Sequence, residues 1–303
     1  MDQRKYEVFL RAIECGSLTR TAAELGYTQA GVSHIVKVLE QEFGFPLFSR
    51  SRAGVALTKE GKLLLPVVSE LEKWNEQLRQ LTAQIKGLEV GSITVGVFES
   101  ISFSWLPRIL AKFHRDYPNI EVGVKVGGTE EIEGWLSENR ADIALYSLHP
   151  HSGFCTTPLR RDRMMAVLPP DFPVGGRKTF KVEELKGQFF ISAPRGNDSD
   201  IDAIISRYKI VPSIKFTSTG GQTIISMVEN GLGVTILAEL MLTGHVSCVQ
   251  ALPLRPAISR TLGMAVPSLK EVSPAVRRFM DCVTSVMKEA PGKAQPQQAA
   301  AAR

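Results

Sequence analysis

The sequence predicts an α/β protein in three parts: a helical head with a small β wing, one long helix, and a two-lobed α/β domain. Three observations predict it. Short helical segments separated by glycines fill the first 45 residues, a regular run of apolar residues follows, and strands alternate with helices from residue 91 onward. The 303 residues leave room for about two domains. With 44% apolar and 22% charged residues, the chain is neither disordered nor fibrous.

Composition also indicates the cellular compartment in which we expect the protein. The longest apolar runs, such as LLLPVV at 63–68, are much shorter than the ~18 to 20 residues of a membrane helix. The opening MDQRKYEVFLRAIE is charged throughout, so we expect no secretory signal, no membrane partner and a cytoplasmic location. Four scattered cysteines form no CxxC pair, which is typical of a reduced compartment. The net charge of +5 neither favours nor excludes nucleic-acid binding.

The first 45 residues predict three helices with a tight turn after the second, the outline of a helix-turn-helix. Apolar residues at helical spacing place these helices at about 3–14, 18–25 and 29–43. A glycine follows each helix, and Ser17 and Thr28 stand at the N-cap positions of the second and third. The third helix is therefore the candidate recognition helix.

This third helix has two different faces. At about 100° per residue, Val32, Ile35, Val36 and Leu39 gather on the side that should pack on the other helices. The opposite side combines hydrogen-bonding and small residues, which is typical of a helix that approaches DNA closely, although an ordinary solvated face is the alternative. The candidate DNA-contacting residues on and around it are Thr19, Thr28, Gln29, Ala30, Ser33, His34 and Lys37.

A wing follows the third helix. Alternating residues on both sides of Gly54 predict two short strands, and Arg50 and Arg52 flank the turn between them. If the third helix lies in the major groove, these arginines would lie beside the phosphate backbone or in a minor groove.

From Phe9 to Gly61 the sequence resembles the amino-terminal signature of the LysR-type transcriptional regulators. The matching motifs are FLRAIECGSLT, the AA of the second helix, TQ and VS in the third, LE and FG at its end, LF.R, and LT..G. Two departures stand out: Ala30 and Gly31 occupy positions where proline and alanine are usual, and His34 replaces a more common arginine or glutamine. Both lie at the candidate DNA-reading positions.

The resemblance implies a DNA-binding transcriptional regulator that is not an enzyme. It further implies a winged head, a dimer formed through the long helix, and often a tetramer formed through the larger domain. Its implied partners are double-stranded operator DNA, a small-molecule effector held between two lobes, and the transcription machinery. No cofactor is implied.

The long helix carries a coiled-coil pattern. Its apolar residues alternate at spacings of three and four, which is the pattern of a seam between paired helices. An amphipathic helix packed on its own domain, with a period nearer 3.6, is the alternative. Pro66 lies near the start and would bend the first turns or mark the end of the head. The predicted seam consists of Leu64, Val67, Leu71, Trp74, Leu78, Leu81, Ile85 and Leu88.

From Gly91 onward, strands alternate with helices in two similar sets. The segments 92–98, 120–126 and 141–147 predict strands of a βαβαβ unit with helices between them, one of which is SWLPRILAKFHRDY. RMMAVLP opens a second set, and TLGMAVP with the helix 272–288 predicts a return to the first lobe. Two lobes joined by two crossings form a hinged clamp, like a periplasmic binding protein.

The resulting boundaries are a DNA-binding head, a linker helix, a two-lobed effector domain and a disordered low-complexity tail. They fall at 1–58, 59–89, 90–290 (lobe I about 90–160 and 267–290, lobe II about 161–266) and 291–303.

Ligands of such sheets bind at the carboxyl ends of the strands, where helix amino-termini converge. Glu99, Glu130 and Glu131 crowd this edge of lobe I, and Arg195 is the one obvious counter-charge, so we expect a small polar or aromatic effector that is neutral or anionic at one end only. Each candidate hydroxyl could instead be a cap or turn residue. The candidate effector-binding residues are Ser100, Ser102, Thr129, Ser147, Ser192, Arg195, Ser218 and Thr223.

Other chemistry has little support. His149, His151 and Cys155 share one loop, but a His-Pro-His loop is more often simply exposed, so we predict no metal. A redox pair of Cys155 and Cys248 is a further alternative without support from spacing. No phosphate-binding loop, HExxH or GxSxG motif is present. A solute-binding protein without a DNA role is therefore the main alternative to a regulator.

Overall fold

A computed structural model describes residues 3–51, 54–85, 90–149, 153–244 and 248–289. The chain divides into two compact units, one built mainly from residues up to Gly91 and one mainly from residues beyond it. In the described residues, no helix has the length and apolar character needed to cross a lipid bilayer.

The first unit begins with three helices, continues with a two-stranded sheet and ends with a long helix. Its elements are α1 (Gln3–Cys15), α2 (Leu18–Leu25), α3 (Gln29–Phe43), β1 (Phe48–Ser51), β2 (Gly54–Leu57) and α4 (Lys59–Ile85). The predicted caps are confirmed. Thr28 Oγ1 accepts the Gly31 N–H at 3.1 Å, and Gly26 and Gly44 end α2 and α3 in the left-handed conformation.

The core of this unit lies between α1, α2, α3 and the start of α4. Val32, Val36 and Leu39 of α3 are buried in it, as predicted, and Ile35 is half-buried. One expectation needs correction: Leu64 also packs on this core, because the first turns of α4 lie against α1. The free part of the seam therefore starts at Val67.

The wing is held against the turn between α1 and α2. Strands β1 and β2 pair antiparallel, with Phe48 opposite Leu57. The Val55 N–H donates to Gly16 O at 2.9 Å. At Gly54, whose φ is +124°, a Cβ would lie 2.3 Å from that same oxygen, so only glycine allows this contact.

A half-buried carboxylate joins α3 to the wing. Glu40 Oε1 accepts the backbone N–H groups of Leu47 at 2.7 Å and Phe48 at 3.1 Å. Leu47 and Phe48 are themselves buried, so these two donors have little access to water. This explains in physical terms why the LE and LF.R motifs occur together.

Replacing Glu40 with alanine is expected to lower the free energy of unfolding of the head by about 1 to 3 kcal/mol, because two buried donors lose their acceptor. Thermal unfolding of the full chain, followed by circular dichroism, measures the loss. Glu42→Ala is the control, since Glu42 makes an exposed ion pair with Lys5 that is worth about 0 to 1 kcal/mol. Equal losses in the two variants would contradict the expectation.

The second unit contains two lobes. The elements of lobe I and the strands that connect it are β3 (Gly91–Val97), α5 (Glu99–Ser104), α6 (Leu106–Asp116), β4 (Ile120–Val126), α7 (Thr129–Ser137), β5 (Ile143–Ser147), β6 (Cys155–Leu168), β12 (Ser259–Val266) and α10 (Pro274–Glu289). Lobe II contains β7 (Phe180–Lys181), β8 (Phe189–Ser192), α8 (Ser199–Arg207), β9 (Ser213–Thr217), α9 (Gly221–Glu229), β10 (Thr235–Ala238) and β11 (Gln250–Arg255), with short 3₁₀ helices at Val182–Leu185 and Glu239–Leu242.

Two long strands cross between the lobes. In lobe I the strand order is β4-β3-β5-β12, and β3 pairs parallel with β5, as the βαβαβ pattern predicts. β12 pairs antiparallel with both β5 and β6, and the far end of β6 pairs with β10 and β11 of lobe II. A sheet thus runs through both lobes, and the hydrophobic cores lie on either side of the crossing.

Sequence expectations about elements need small corrections. The helix expected from Ser104 to Tyr117 is α6, which begins at Leu106 with Pro107 in its first turn, and the short helix α5 that precedes it was not predicted. Residues 164–168 of RMMAVLP pair with β10 and β11 of lobe II, but β6 itself begins earlier, at Cys155, where it pairs with β12. Strand β11 was not predicted, because Pro253 interrupts its pattern. The predicted tail at 291–303 lies outside the described residues.

Candidate functional site

The candidate recognition face of α3 consists of Gln29, Ala30, Ser33, His34 and Lys37, and two of these side chains already hydrogen-bond each other. Ala30, His34 and Lys37 are exposed, and Ser33 is half-buried. Gln29 Nε2 donates to Ser33 Oγ at 3.1 Å, one turn further along the helix. This pair leaves the Gln29 amide oxygen and the second amide hydrogen available, which is what the edge of a base would need.

The other predicted DNA-binding residues flank this face. Thr19 and Thr28 are exposed at the starts of α2 and α3, although the Thr28 hydroxyl already caps α3. The backbone of Arg50 lies in β1, opposite Val55. Arg52 lies outside the described residues.

Helix α4 presents a continuous apolar stripe to solvent. Six side chains, each between 45 and 79% exposed, repeat at spacings of four and three. We name this stripe the linker seam. It consists of Val67, Leu71, Trp74, Leu78, Leu81 and Ile85, and the last predicted seam residue, Leu88, lies outside the described residues. None of these six side chains belongs to the buried core of the first unit, which favours a seam over a helix packed only on its own domain.

A cavity of about 410 Å³ opens between the two lobes of the second unit. Lobe I contributes the start of α5 and the segment before α7, and lobe II contributes the starts of α8 and α9. Its size is in the range of small-molecule sites. The residues that form its wall are Phe98, Glu99, Ser100, Val126, Gly127, Gly128, Glu131, Ala193, Asn197, Asp198, Ile201, Thr219, Gly220, Gly221, Ile224, Leu237, Met241 and Arg260.

Of the eight predicted effector-binding residues, the structure places Ser100 in this wall. Arg195 and Thr223 are exposed elsewhere, and Ser147 is fully buried at the end of β5. The remaining hydroxyls are engaged locally. Ser102 Oγ donates to Glu99 O, Ser192 Oγ to Ala193 O, Thr129 Oγ1 pairs with Ser199 Oγ, and Ser218 Oγ accepts from the Gly220 N–H. Ser102, Ser192 and Ser218 therefore make local contacts with their own turns, and Thr129 contacts the other lobe.

A buried arginine on β12 forms the floor of the cavity. The Arg260 side chain is 3% exposed and pairs with Asp162 of β6 at 3.0 Å. It also donates to Ser100 Oγ at 2.9 Å and lies 3.8 Å from the Asp198 carboxylate. Its guanidinium stands over the ring of Phe98, 5.5 Å from the centroid. Arg260 thereby contacts residues of both lobes from a strand that crosses between them.

The pKa values of both aspartates beside Arg260 are raised. Burial raises the pKa of Asp162 above its ordinary value, and the Arg260 charge opposes this effect. Burial also raises the pKa of Asp198, again against the attraction of Arg260, and the neighbouring Asp200 charge adds to the rise. The arginine therefore stabilises negative charge that burial alone would disfavour.

Lobe-to-lobe contacts surround the cavity. Glu99 Oε2 of lobe I accepts the Gly221 N–H at the start of α9, at 2.6 Å. Ser199 Oγ lies 2.9 Å from Thr129 Oγ1 and 2.8 Å from His149 Nε2. His149, one of the three residues considered for a metal, thus hydrogen-bonds Ser199. His151 lies outside the described residues.

Arg260 and Asp162 were missed at the sequence level, although a signal was present. Each has buried apolar neighbours at even spacing along its strand: Leu262 and Met264, two and four residues after Arg260, and Met164, two residues after Asp162. Charged residues in register with a buried strand face indicate a buried ion pair. The rule considers only the carboxyl ends of strands, so it did not find Asp162 in the middle of β6 or Arg260 near the amino end of β12.

Comparison with protein families gives two matches. Residues 3–62 match the model described as "Bacterial regulatory helix-turn-helix protein, lysR family", and residues 86–288 match "LysR substrate binding domain". One relative is the uncharacterized HTH-type transcriptional regulator YvbU of Bacillus subtilis, which is 31% identical over 91% of this chain and 95% of its own length. The regulator CbbR of Rhodospirillum rubrum is 26% identical over 78% of this chain and 79% of its own.

Solved structures share the fold. A full-length OxyR variant from Pseudomonas aeruginosa superposes with a TM-score of 0.70 at 21% identity, covering 94% of this chain and 98% of that one. Full-length CbnR in complex with its target DNA gives a TM-score of 0.64 at 18% identity, over 94% and 100% of the two chains. Together with a recognition face on α3 and a cavity between two lobes, these matches show that the chain belongs to the LysR family of transcriptional regulators, which bind DNA and small-molecule effectors, oligomerise, and are not enzymes.

Proposed function

We propose that two copies of this chain pair along the linker seam and so place two α3 helices in successive major grooves of an operator. The observation that supports this most strongly is the seam itself, six large apolar side chains at coiled-coil spacing with no cover in the described chain. In such a dimer the two recognition helices lie about one helical turn, ~34 Å, apart on the DNA.

Base readout is assigned to the exposed side of α3. Gln29, Ser33, His34 and Lys37 present hydrogen-bonding groups there, and Ala30 permits close approach. Phosphate contacts are assigned to the helix starts at Thr19 and Thr28, and to the wing arginines Arg50 and Arg52. We place the protein in the cytoplasm, with the DNA that it regulates.

The cavity between the lobes is the proposed effector site. The two lobes already touch across it through Glu99 and Gly221, so a molecule bound there alters how closely they approach. A change in lobe closure then alters how the assembled heads are held, and with it operator binding. Assembly to a tetramer through the larger domain is supported by the apolar side chains of Ile214 and Phe216, which are exposed on strand β9.

Binding to DNA tests this proposal. A duplex from upstream of the chain's own coding sequence and a scrambled duplex are titrated with the full-length protein, and binding is followed by fluorescence anisotropy. Gln29→Ala is expected to weaken binding to the upstream duplex by about 1 to 3 kcal/mol, roughly 5- to 150-fold, and to leave the scrambled duplex unaffected.

Gln41→Ala is the matched control. It removes the same exposed side chain from the same helix, but about 18 Å further along at 1.5 Å per residue, beyond the end that contacts bases. A loss that is the same for both duplexes, or the same for both variants, would exclude Gln29 from base readout. The alternative function, a solute-binding protein without a DNA role, is not favoured, since residues 3–62 match a DNA-binding family model.

A further inference from the structure

The charges in the cavity wall are unbalanced. Glu99, Glu131 and Asp198 contribute three carboxylates, and Arg260 contributes the one cationic side chain among the lining residues that the structure describes. The wall therefore has a net negative charge when these groups are ionised. An anionic ligand would need a free positive group, and a cationic ligand would not.

Arg260 is not free to receive an anion. Its Nε and Nη2 atoms both lie within 3.1 Å of Asp162 Oδ2, Nη2 also donates to Ser100, and Nη1 faces Asp198. With its side chain 3% exposed, a ligand carboxylate could bind it only by breaking these contacts. Binding a ligand carboxylate in this way would require breaking the buried ion pair between Arg260 and Asp162, which is energetically costly.

Helix amino-termini, the other common anion sites, are also occupied. The first N–H of α9, at Gly221, donates to Glu99. Asp198 caps α8 by accepting the N–H groups of Asp200 and Ile201 at 3.1 and 3.2 Å. At α7, the Gly128 N–H donates to Glu131. The starts of α7, α8 and α9 at the cavity thus already face a carboxylate of this chain.

The carboxylate of Asp200, two residues after Asp198, has one oxygen without a hydrogen-bond donor. Asp200 Oδ2 is buried without a hydrogen-bond partner, and Asp200 lines a smaller cavity of about 180 Å³ on the other side of Arg260. Buried acceptors without donors are uncommon in native proteins and indicate a missing partner. This oxygen adds to the negative potential around Arg260.

We propose that the effector of this protein has a protonated amine at one end and an apolar body at the other. The amine would face the carboxylates of Glu99 and Asp198, and the apolar body would contact Ile201, Ile224 and Leu237 on the lobe II side. The inference rests on the proposed effector site and deepens it. It also replaces the expectation, made from the sequence, of an effector that is neutral or anionic at one end.

The test uses probes that differ only in their charged group. 2-Phenylethylammonium, 2-phenylethanol and 3-phenylpropanoate are compared with pentylammonium, pentanol and hexanoate, each at millimolar concentration. The melting temperature of the full-length chain is measured by differential scanning fluorimetry. We expect a concentration-dependent rise with at least one of the two amines and none with the carboxylates. A rise with a carboxylate, or with neither amine, would overturn the inference.

Two isosteric variants locate the effect. Glu99→Gln keeps an oxygen that can accept from Gly221, and Asp198→Asn keeps a good N-cap, so both are expected to fold. Each substitution should weaken binding of the stabilising amine about tenfold, which corresponds to ~1.4 kcal/mol of binding free energy. Glu130→Gln changes an exposed carboxylate in the first turn of α7, outside the cavity wall, and should leave binding of the amine unchanged. An equal effect of the control and the two variants would contradict the assignment.

The experiments separate an error in the amine proposal from an error in the proposed regulator function. Should a carboxylate both stabilise the chain and alter operator binding, the protein remains an effector-controlled regulator, and only the charge class of its effector is wrong. DNA binding without any ligand is measured independently by the anisotropy titration.

Discussion

Replacing Arg260 with methionine is expected to lower the free energy of unfolding of the effector domain by about 3 to 5 kcal/mol at neutral pH. Methionine fills a comparable volume but removes the cation that faces Asp162 and Asp198. The two carboxylates are then left in the crossing between the lobes without compensation. Urea unfolding of the full chain, followed by circular dichroism, measures the difference.

Arg163→Met is the control for this variant. Arg163 follows Asp162 on the same strand and pairs with Glu239, but the two side chains are 61% and 46% exposed. Solvent screens such a pair, so its loss should cost less than about 1 kcal/mol. If the two variants lost equal stability, burial of the Arg260 pair would not be the cause.

The effect of Arg260→Met should depend on pH. Burial already raises the pKa of both Asp162 and Asp198 above the ordinary 3.8, and loss of Arg260 raises them further. A carboxyl whose pKa is higher in the folded state favours folding while protonated, and this contribution is lost as the pH rises through the folded value. The loss of unfolding free energy caused by Arg260→Met is therefore expected to be largest near neutral pH and to shrink as the pH falls toward about 4. A deficit independent of pH would contradict this explanation.

The head could be predicted closely from sequence because its signals are local. Each helix is bounded by a cap and a glycine a few residues away, as at Thr28 and Gly44, and the structure confirms both. The buried face of α3 follows from its period alone. What sequence did not indicate is the contact between Glu40 and the wing, because a carboxylate in a helix gives no sign of the backbone donors seven and eight residues away.

The effector cavity was predicted less well, for a physical reason. The rule that ligands bind at strand ends located the correct edge, since Ser100, Glu99 and Gly221 lie there. It could not say which side chains turn inward, because a serine or threonine at a strand end serves equally well as a cap. Arg260 enters from a crossing strand whose pairing with β5 and β6 joins residues about a hundred positions apart.

Introducing glutamate at two positions of the linker seam, Leu71→Glu with Leu78→Glu, is expected to abolish pairing along the seam while each chain stays folded. The two side chains are 45% and 63% exposed in the single chain, so the substitutions remove only part of a buried apolar contact within it. In a paired coil the same positions would place four carboxylates in the apolar interface, where charge is costly. Sedimentation velocity at micromolar concentration should show a dimer or larger assembly for the unmodified chain and an assembly of half as many chains for this variant.

Loss of pairing should also weaken operator binding. Two linked heads bind more tightly than one because the second binds intramolecularly, an advantage of about 10² to 10⁴ in affinity. We therefore expect a loss of this order on the upstream duplex, with each head still folded. Thr82→Glu adds one carboxylate per chain on an exposed face of α4 outside the seam and should change neither assembly nor affinity. A seam variant that still bound the operator at full strength would show that the heads are brought together by some other surface, and so would an unmodified chain that sedimented as a monomer.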